Sequence, residues 1–323
     1  MRSLIPILLF FATASGQSPR NGAHDFDFEL GRWHVHLARR VHPLAHSNEW
    51  TSYDGTSITR AVWGGRANLS ELEVDGGGTH IEGLSFRLYD STAHQWRIYW
   101  ANSRDGEVGP AMVGGFADGH GEFYDQEDFN GKKVFVRFIF SAMTATSFRI
   151  EQAFSDDAGR SWETNWITTF TKDADQATPP AGPTAADAAH DFDFAEGSWA
   201  MSDGSTHHMH RLWNGRAWLG ELELRDGAFA GSLLHTYNPG THQWSVYWAD
   251  GRSGRIGAPM IGRFEQGHGE FTDQEDVHGM TALVRVTYSG VTPTAFRTEQ
   301  SYSTDGGKTW IPDGAYSFTK KTP

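Results

Sequence analysis

Two glutamates and two arginines, Glu122, Arg137, Arg149 and Glu151, return in the second half of this chain as Glu270, Arg285, Arg297 and Glu299. Guanidinium groups hold carboxylates through paired hydrogen bonds, and a glutamate beside them can move a proton while an arginine steadies developing negative charge. Two chemical roles therefore fit the set. It could clamp the polar end of a largely apolar ligand, with Tyr124 beside it. Alternatively Glu151 or Glu122 could act as proton carrier, with Arg137 or Arg149 as electrostatic partner. A third reading has no chemistry: an outward ladder of cross-strand ion pairs, which contributes little to stability.

The elements that carry these residues decide between the readings. Glu122–Phe129 and Lys132–Phe140 are strand-like runs separated by Asn130-Gly131, a dipeptide that closes a two-residue hairpin. That register sets Arg137 opposite Tyr124 and Ile139 opposite Glu122. A following hairpin about Thr144 sets Arg137 opposite Glu151 and Ile139 opposite Arg149. One face then holds Glu122, Tyr124, Arg137, Arg149 and Glu151, and the other Phe123, Phe138, Phe140, Phe148 and Ile150. An all-aromatic face more naturally turns inward, which favours the ladder; a charged lining is the competing expectation.

The whole stretch is one half of a tandem duplication: GHGEFYDQEDFNG at Gly119 returns as GHGEFTDQEDVHG at Gly267. Positions held fixed between the copies can thus be told from positions that drifted. The chain of 323 residues has 13 Trp, 21 Phe and 37 Gly but no Cys, which points to many short aromatic strands broken by glycine turns, without disulfides. A net charge of −13 argues against nucleic-acid or anionic-membrane partners. Residues 1–16 have the basic start, apolar core and small-residue end of a signal peptide, so a secreted or periplasmic location without membrane insertion is expected. Residues 22–173 form the first domain and 189–321 the second, joined by an Ala/Pro/Thr-rich linker at 174–188.

Both domains open with the same His-Asp-Phe-Asp-Phe, followed by Gly31-Arg-Trp33 or Gly197-Ser-Trp199. Later come Tyr89-Asp90 before Trp96 and Trp100, paired with Tyr237-Asn238 before Trp244 and Trp248. Each copy ends on Ser155-x-Asp157-x-Gly159-x-Ser161-Trp162 or Ser303-x-Asp305-x-Gly307-x-Thr309-Trp310, which resembles the Asp-box hairpin of sialidase propellers. With only one box per copy, the spacing is too wide for propeller blades. In this order the motifs resemble bacterial secreted lipocalin-like domains of calycin type. The resemblance implies an all-β chain of two tandem lipocalin-like antiparallel β-barrels, each with a Trp closing one end. It also implies an Arg or Lys stacked on that Trp, for which Arg66, Arg137 and Arg149 are candidates on Trp33. It carries no reaction, since related barrels include carriers and enzymes.

Several other residues are weaker candidates. Asp125-Gln-Glu127-Asp128 recurs as Asp273-Gln-Glu275-Asp276, but strand alternation divides it between two faces, so a solvated strand end is expected. His34 and His36 have metal-ligand spacing, yet Trp33, Val35 and Leu37 make the alternate face the apolar one, and no metal or cofactor is expected. Nucleotide-binding, serine-hydrolase and zinc-protease motifs are absent, as is any thiol nucleophile.

The expected function is a binding protein for a small, largely apolar or aromatic ligand held in a barrel pocket. The candidate binding residues are Trp96, Trp100, Arg66, Arg137, Arg149, Glu151 and Tyr124. The alternative is a barrel cyclase, isomerase or hydratase acting on a hydrophobic metabolite. Neither ligand nor oligomeric state is legible. The copies differ between Trp33 and Trp63, thirty residues apart, because Trp199 and Trp213 are only fourteen apart. The second copy lacks a strand pair or mouth loop around His42–Trp50, and its Trp218 replaces Asn68. Barrel one is therefore the expected ligand-holding copy.

Overall fold

The computed structural model describes residues 21–173 and 188–322; the signal segment and all but the last residue of the linker lie outside the described residues. Among the described residues there is no α-helix, only strands and short 3-10 turns. The first barrel contains β1 (Gly31–Arg40), β2 (Trp50–Val62), β3 (Ala67–Gly76), β4 (Thr79–Asp90) and β5 (Gln95–Asn102). It continues with β6 (Met112–Ala117), β7 (His120–Phe129), β8 (Lys132–Ser141), β9 (Ser147–Ser155) and β10 (Glu163–Lys172). Each strand pairs antiparallel with the next, and β10 returns to β1 to close the ring.

The second barrel repeats the circuit with β11 (Gly197–Met201), β12 (Thr206–Leu212), β13 (Ala217–Glu223), β14 (Phe229–Asn238) and β15 (Gln243–Asp250). A two-residue strand, β16 (Arg255–Ile256), hangs on β15. The ring is completed by β17 (Met260–Glu265), β18 (His268–Val277), β19 (Met280–Ser289), β20 (Ala295–Ser303) and β21 (Ile311–Lys320). The missing residues therefore remove no strand. They shorten β11 to five residues against ten in β1, and β12 to seven against thirteen in β2, and cut the loop between them from nine residues to four.

Turn chemistry sets the register. Asn130 and Gly131 both take positive φ, 51° and 77°, as a type I′ hairpin requires, and His278 and Gly279 do the same. Tyr124 pairs with Arg137 and Glu122 with Ile139, as the turn predicts. The next hairpin differs by two residues from expectation: Ile139 faces Glu151, and Arg137 faces Ala153. Thr144 Oγ1 accepts from the amides of Thr146 and Ser147 and moves the turn further along the chain. An even shift leaves every side chain on its expected face.

Each barrel is closed at one end by the aromatic entry segment. Phe26 and Trp33 are fully buried with Phe123, Phe140 and Phe148, and Trp33 donates its indole N–H to the Glu29 carbonyl at 2.6 Å. Phe192 and Trp199 hold the corresponding places in barrel two. The cation over Trp33 is Lys172, 4.3 Å from the ring centroid, with Lys320 over Trp199. The expectation of Arg66, Arg137 or Arg149 there is thus corrected: β10 runs beside β1 and brings its last lysine onto the indole.

The two barrels pack through the outer faces of β2–β5 and β12–β15. Trp63, Leu69 and Phe86 share one buried cluster with Trp213, Leu219 and Tyr247. The contact is isologous, as in a two-fold dimer. Trp63 N–H donates to Glu221 at 3.2 Å and Trp213 N–H to Glu71 at 3.4 Å. Likewise the Val108 amide donates to Tyr247 Oη and the Ile256 amide to Tyr99 Oη. The fixed pairs Arg66/Glu71 and Arg216/Glu221 are explained by this contact. Arg66 donates to the Gly251 carbonyl at 3.1 Å and Arg216 binds Glu82, so Arg66 serves the junction between barrels rather than a ligand.

Candidate functional site

Barrel one holds a cavity of about 690 Å³ on the side of its aromatic plug that faces the β1–β2 loop. Its floor is polar. Arg87, from β4, is 3% exposed and lies with Nη1 2.9 Å from an oxygen of Glu29, which is 1% exposed. Arg87 also donates to Asn68 Oδ1 at 3.0 Å, while its Nε has no partner. Burial pushes the Glu29 carboxyl up and the Arg87 guanidinium down in pKa, each partly restored by the other's charge. Beside them Ser57, Thr59 and Ser70 bond one another across β2 and β3 at 2.9 to 3.0 Å, so the hydroxyls are mutually satisfied.

Above the floor the walls are mainly apolar, with Leu72, Ile98, Met112, Phe138, Ile150 and Phe170 among the lining residues. Trp100 also lines the cavity, lying flat over Gly83, where any Cβ would strike its ring. One wall carries Asp125 and Glu127, on the inward side of β7. The sequence expectation of a solvated strand end is corrected here. Alternation divides the acidic run as anticipated, but its inward half faces the cavity. Burial, with the neighbouring Glu127, raises Asp125 to about 7, and burial raises Glu127 as well. Neither oxygen of Asp125 has a hydrogen-bond donor.

The mouth is covered by the segment that barrel two lacks. Arg40 stacks on Trp50 at 4.7 Å and donates to the carbonyls of Thr164 and Ser47. Glu163 accepts from the Leu44 amide at 2.6 Å, and Pro43 lines the cavity. These contacts tie the loop to β10 across the rim.

The remaining candidates lie elsewhere. Trp96 is buried in the plug, against Phe26, and donates to the Gly22 carbonyl at 2.8 Å. Glu122, Tyr124, Arg137, Arg149 and Glu151 stand on the outer wall, because the aromatic face of β7–β9 turns inward. Arg149 pairs with Glu151, Tyr124 with Glu122, and Arg137 stacks on Trp162 at 4.6 Å. Their second set forms a groove on the outer wall of barrel two, where Arg285 stacks on Trp310 at 4.0 Å. These residues are therefore not brought together with the cavity. Asp157 ties the neighbouring turn, accepting from the amides of Arg160 and Ser161.

Barrel two has lost the floor as a unit. Glu29 corresponds to Ala195, Arg87 to His235 and Asn68 to Trp218, which is fully buried. Ser57 and Ser70 become His207 and Gly220, and the missing side chain at Gly220 makes the room that His207 occupies. Its floor is filled by aromatic rings and its rim, around Gln300 and Tyr316, is exposed. A filled core and an exposed rim thus occur at opposite ends of the same barrel. Sequence reasoning identified Trp218 and missed Glu29, Arg87 and Asp125. Comparison of the copies could have found the first two, since a charge of each sign disappears together.

Among the described residues no group of His, Asp and Glu side chains is placed to hold a metal ion. No family model matches the chain, and no curated protein matches it. Solved structures similar to it include a protein of unknown function from the DUF3598 family of Nostoc punctiforme, 9% identical, covering 94% of this chain and all of that one with a TM-score of 0.23. Another is a double mutant of transferrin binding protein B from Haemophilus parasuis, 10% identical, covering 90% of this chain and 75% of that one with a TM-score of 0.19. Superpositions this loose carry no argument about function.

Proposed function

We propose that the chain is a binding protein that holds one small, largely apolar or aromatic molecule in barrel one, with barrel two as its packing partner. The observation that carries this reading is the contrast between the copies. One keeps a cavity of about 690 Å³ above a polar floor, and the other fills the same floor with Trp218, His207 and His235. A volume of that size suits a small ligand. Trp100 and the tethered loop at His42–Trp50 supply contact area and a rim, as binding sites on rigid scaffolds commonly do.

The resemblance to lipocalin-like domains and the export expected from residues 1–16 fit this role, and no helix among the described residues is long and apolar enough to cross a membrane. The enzyme reading relied on Glu151, Glu122, Arg137 and Arg149; from the outer wall these side chains do not reach a molecule inside the barrel. Native mass spectrometry of the protein purified from its own host tests the proposal: a bound small molecule supports it. An empty chain whose tryptophan fluorescence ignores a panel of apolar compounds contradicts it.

A further inference from the structure

The lining of the barrel-one cavity discriminates among ligands by charge. At the floor, Arg87 is 3% exposed, and its Nε has no hydrogen-bond partner. Glu29 lies against the same guanidinium and cancels its charge. Such a floor can donate a hydrogen bond to an oxygen, but it has no net positive charge to hold an anion. On the wall, the carboxyl groups of Asp125 and Glu127 face the cavity, and neither Asp125 oxygen receives a proton donor from the protein. A carboxylate entering beside them would meet like charge in a poorly screened space. The remaining surface combines apolar side chains, among them Leu72, Ile98 and Ile150, with the amides of Gln152 and Asn165; Gln152 donates to Asn165 Oδ1 at 3.0 Å, and Asn165 Nδ2 has no hydrogen-bond partner.

We infer that the ligand is an uncharged hydrophobic carbonyl compound, of the ketone, ester or quinone class, whose oxygen accepts from Arg87, and that the Asp125–Glu127 wall rejects carboxylates of similar skeleton. The inference rests on the binding reading above and narrows it. Barrel two retains Asp273 and Glu275 but has His235 where barrel one has Arg87.

The test uses the intact chain at pH 8.5 and four probes: 2-undecanone, decanoate, decylamine and naphthalene. Calorimetry should show 2-undecanone binding at one per chain, about tenfold or more tighter than decanoate. The carbonyl stretch of the bound ketone should move to lower frequency than in hexane, a readout that needs no variant. The variant D125N/E127Q should bring decanoate to within about threefold of the ketone. Decanoate binding as tightly as the ketone, decylamine binding more tightly than the ketone, an unshifted carbonyl band, or an unchanged preference in the variant would overturn the inference. Naphthalene binding alongside any of those results leaves the binding reading standing and removes only the ligand class. If no probe binds, both fall.

Discussion

Glu29 and Arg87 meet 2.9 Å apart at the floor of barrel one, and both are absent from barrel two, where Ala195 and His235 take their places. Removing one member of a buried pair leaves the other charge uncompensated, which typically costs about 3–5 kcal/mol. Arg87→Met should therefore lower the urea unfolding free energy by that amount. The triple variant Glu29→Ala/Asn68→Trp/Arg87→His, which installs the barrel-two floor, should recover most of the loss. Equal destabilisation by the single and triple variants would show that the pair is not the source of the cost.

Acid should weaken barrel two through its buried histidines. Burial disfavours the imidazolium and holds His207 at about 4 and His235 at about 3, against about 6.5 for an unfolded histidine. Between those values only the unfolded chain takes up protons, so their stabilisation is complete above pH 6.5 and is lost as pH falls through 4 and 3. His235→Leu should remove about 2 kcal/mol of the stability difference between pH 7 and pH 4.5, measured by urea titration. An unchanged pH slope would mean that His235 is not buried neutral.

Asp125 has the opposite sign. Its folded pKa of about 7 lies above the ordinary aspartate value of about 3.9, so its contribution is most favourable below pH 4 and is lost as pH rises through 7. Asp125→Asn should therefore stabilise the chain at pH 8 relative to wild type, with the gain shrinking toward pH 4. A gain that is constant with pH would contradict inward placement of this carboxyl.

The junction between barrels should hold without the covalent link. Trp63 and Trp213 bury against a shared apolar cluster and exchange hydrogen bonds with Glu221 and Glu71. A protease site placed within 174–187 should give two fragments that still elute together at micromolar concentration. Separate elution would show that the contact depends on the linker.

Much of the architecture was legible because it depends on local chemistry. Asn130-Gly131 fixes a hairpin register, and strand alternation then places Phe123, Phe138 and Phe140 on the buried side. The duplication supplied the domain plan. The site was less legible, since its parts come from distant strands whose juxtaposition depends on ring closure. Glu29 precedes β1 and Arg87 lies on β4, and no spacing between them announces a pair. The fixed charges misled as site candidates for an equally physical reason: identity between copies also marks what two packed barrels need, as with Arg66 and Glu71, or what an outer turn needs, as with Arg137 beneath Trp162. The acidic run was misjudged because polarity suggested solvent, whereas alternation on β7 directs Asp125 and Glu127 inward.

The most direct test of the account is the binding stoichiometry of a neutral apolar fluorophore, N-phenyl-1-naphthylamine, on the intact chain and on two variants. The account predicts one site per chain in the wild type, none when Asn68→Trp fills the floor of barrel one, and still one when Trp218→Asn opens barrel two but leaves its rim exposed. Two equal sites in the wild type, or a single site that survives Asn68→Trp and disappears in Trp218→Asn, would show that the ligand lies in the other barrel.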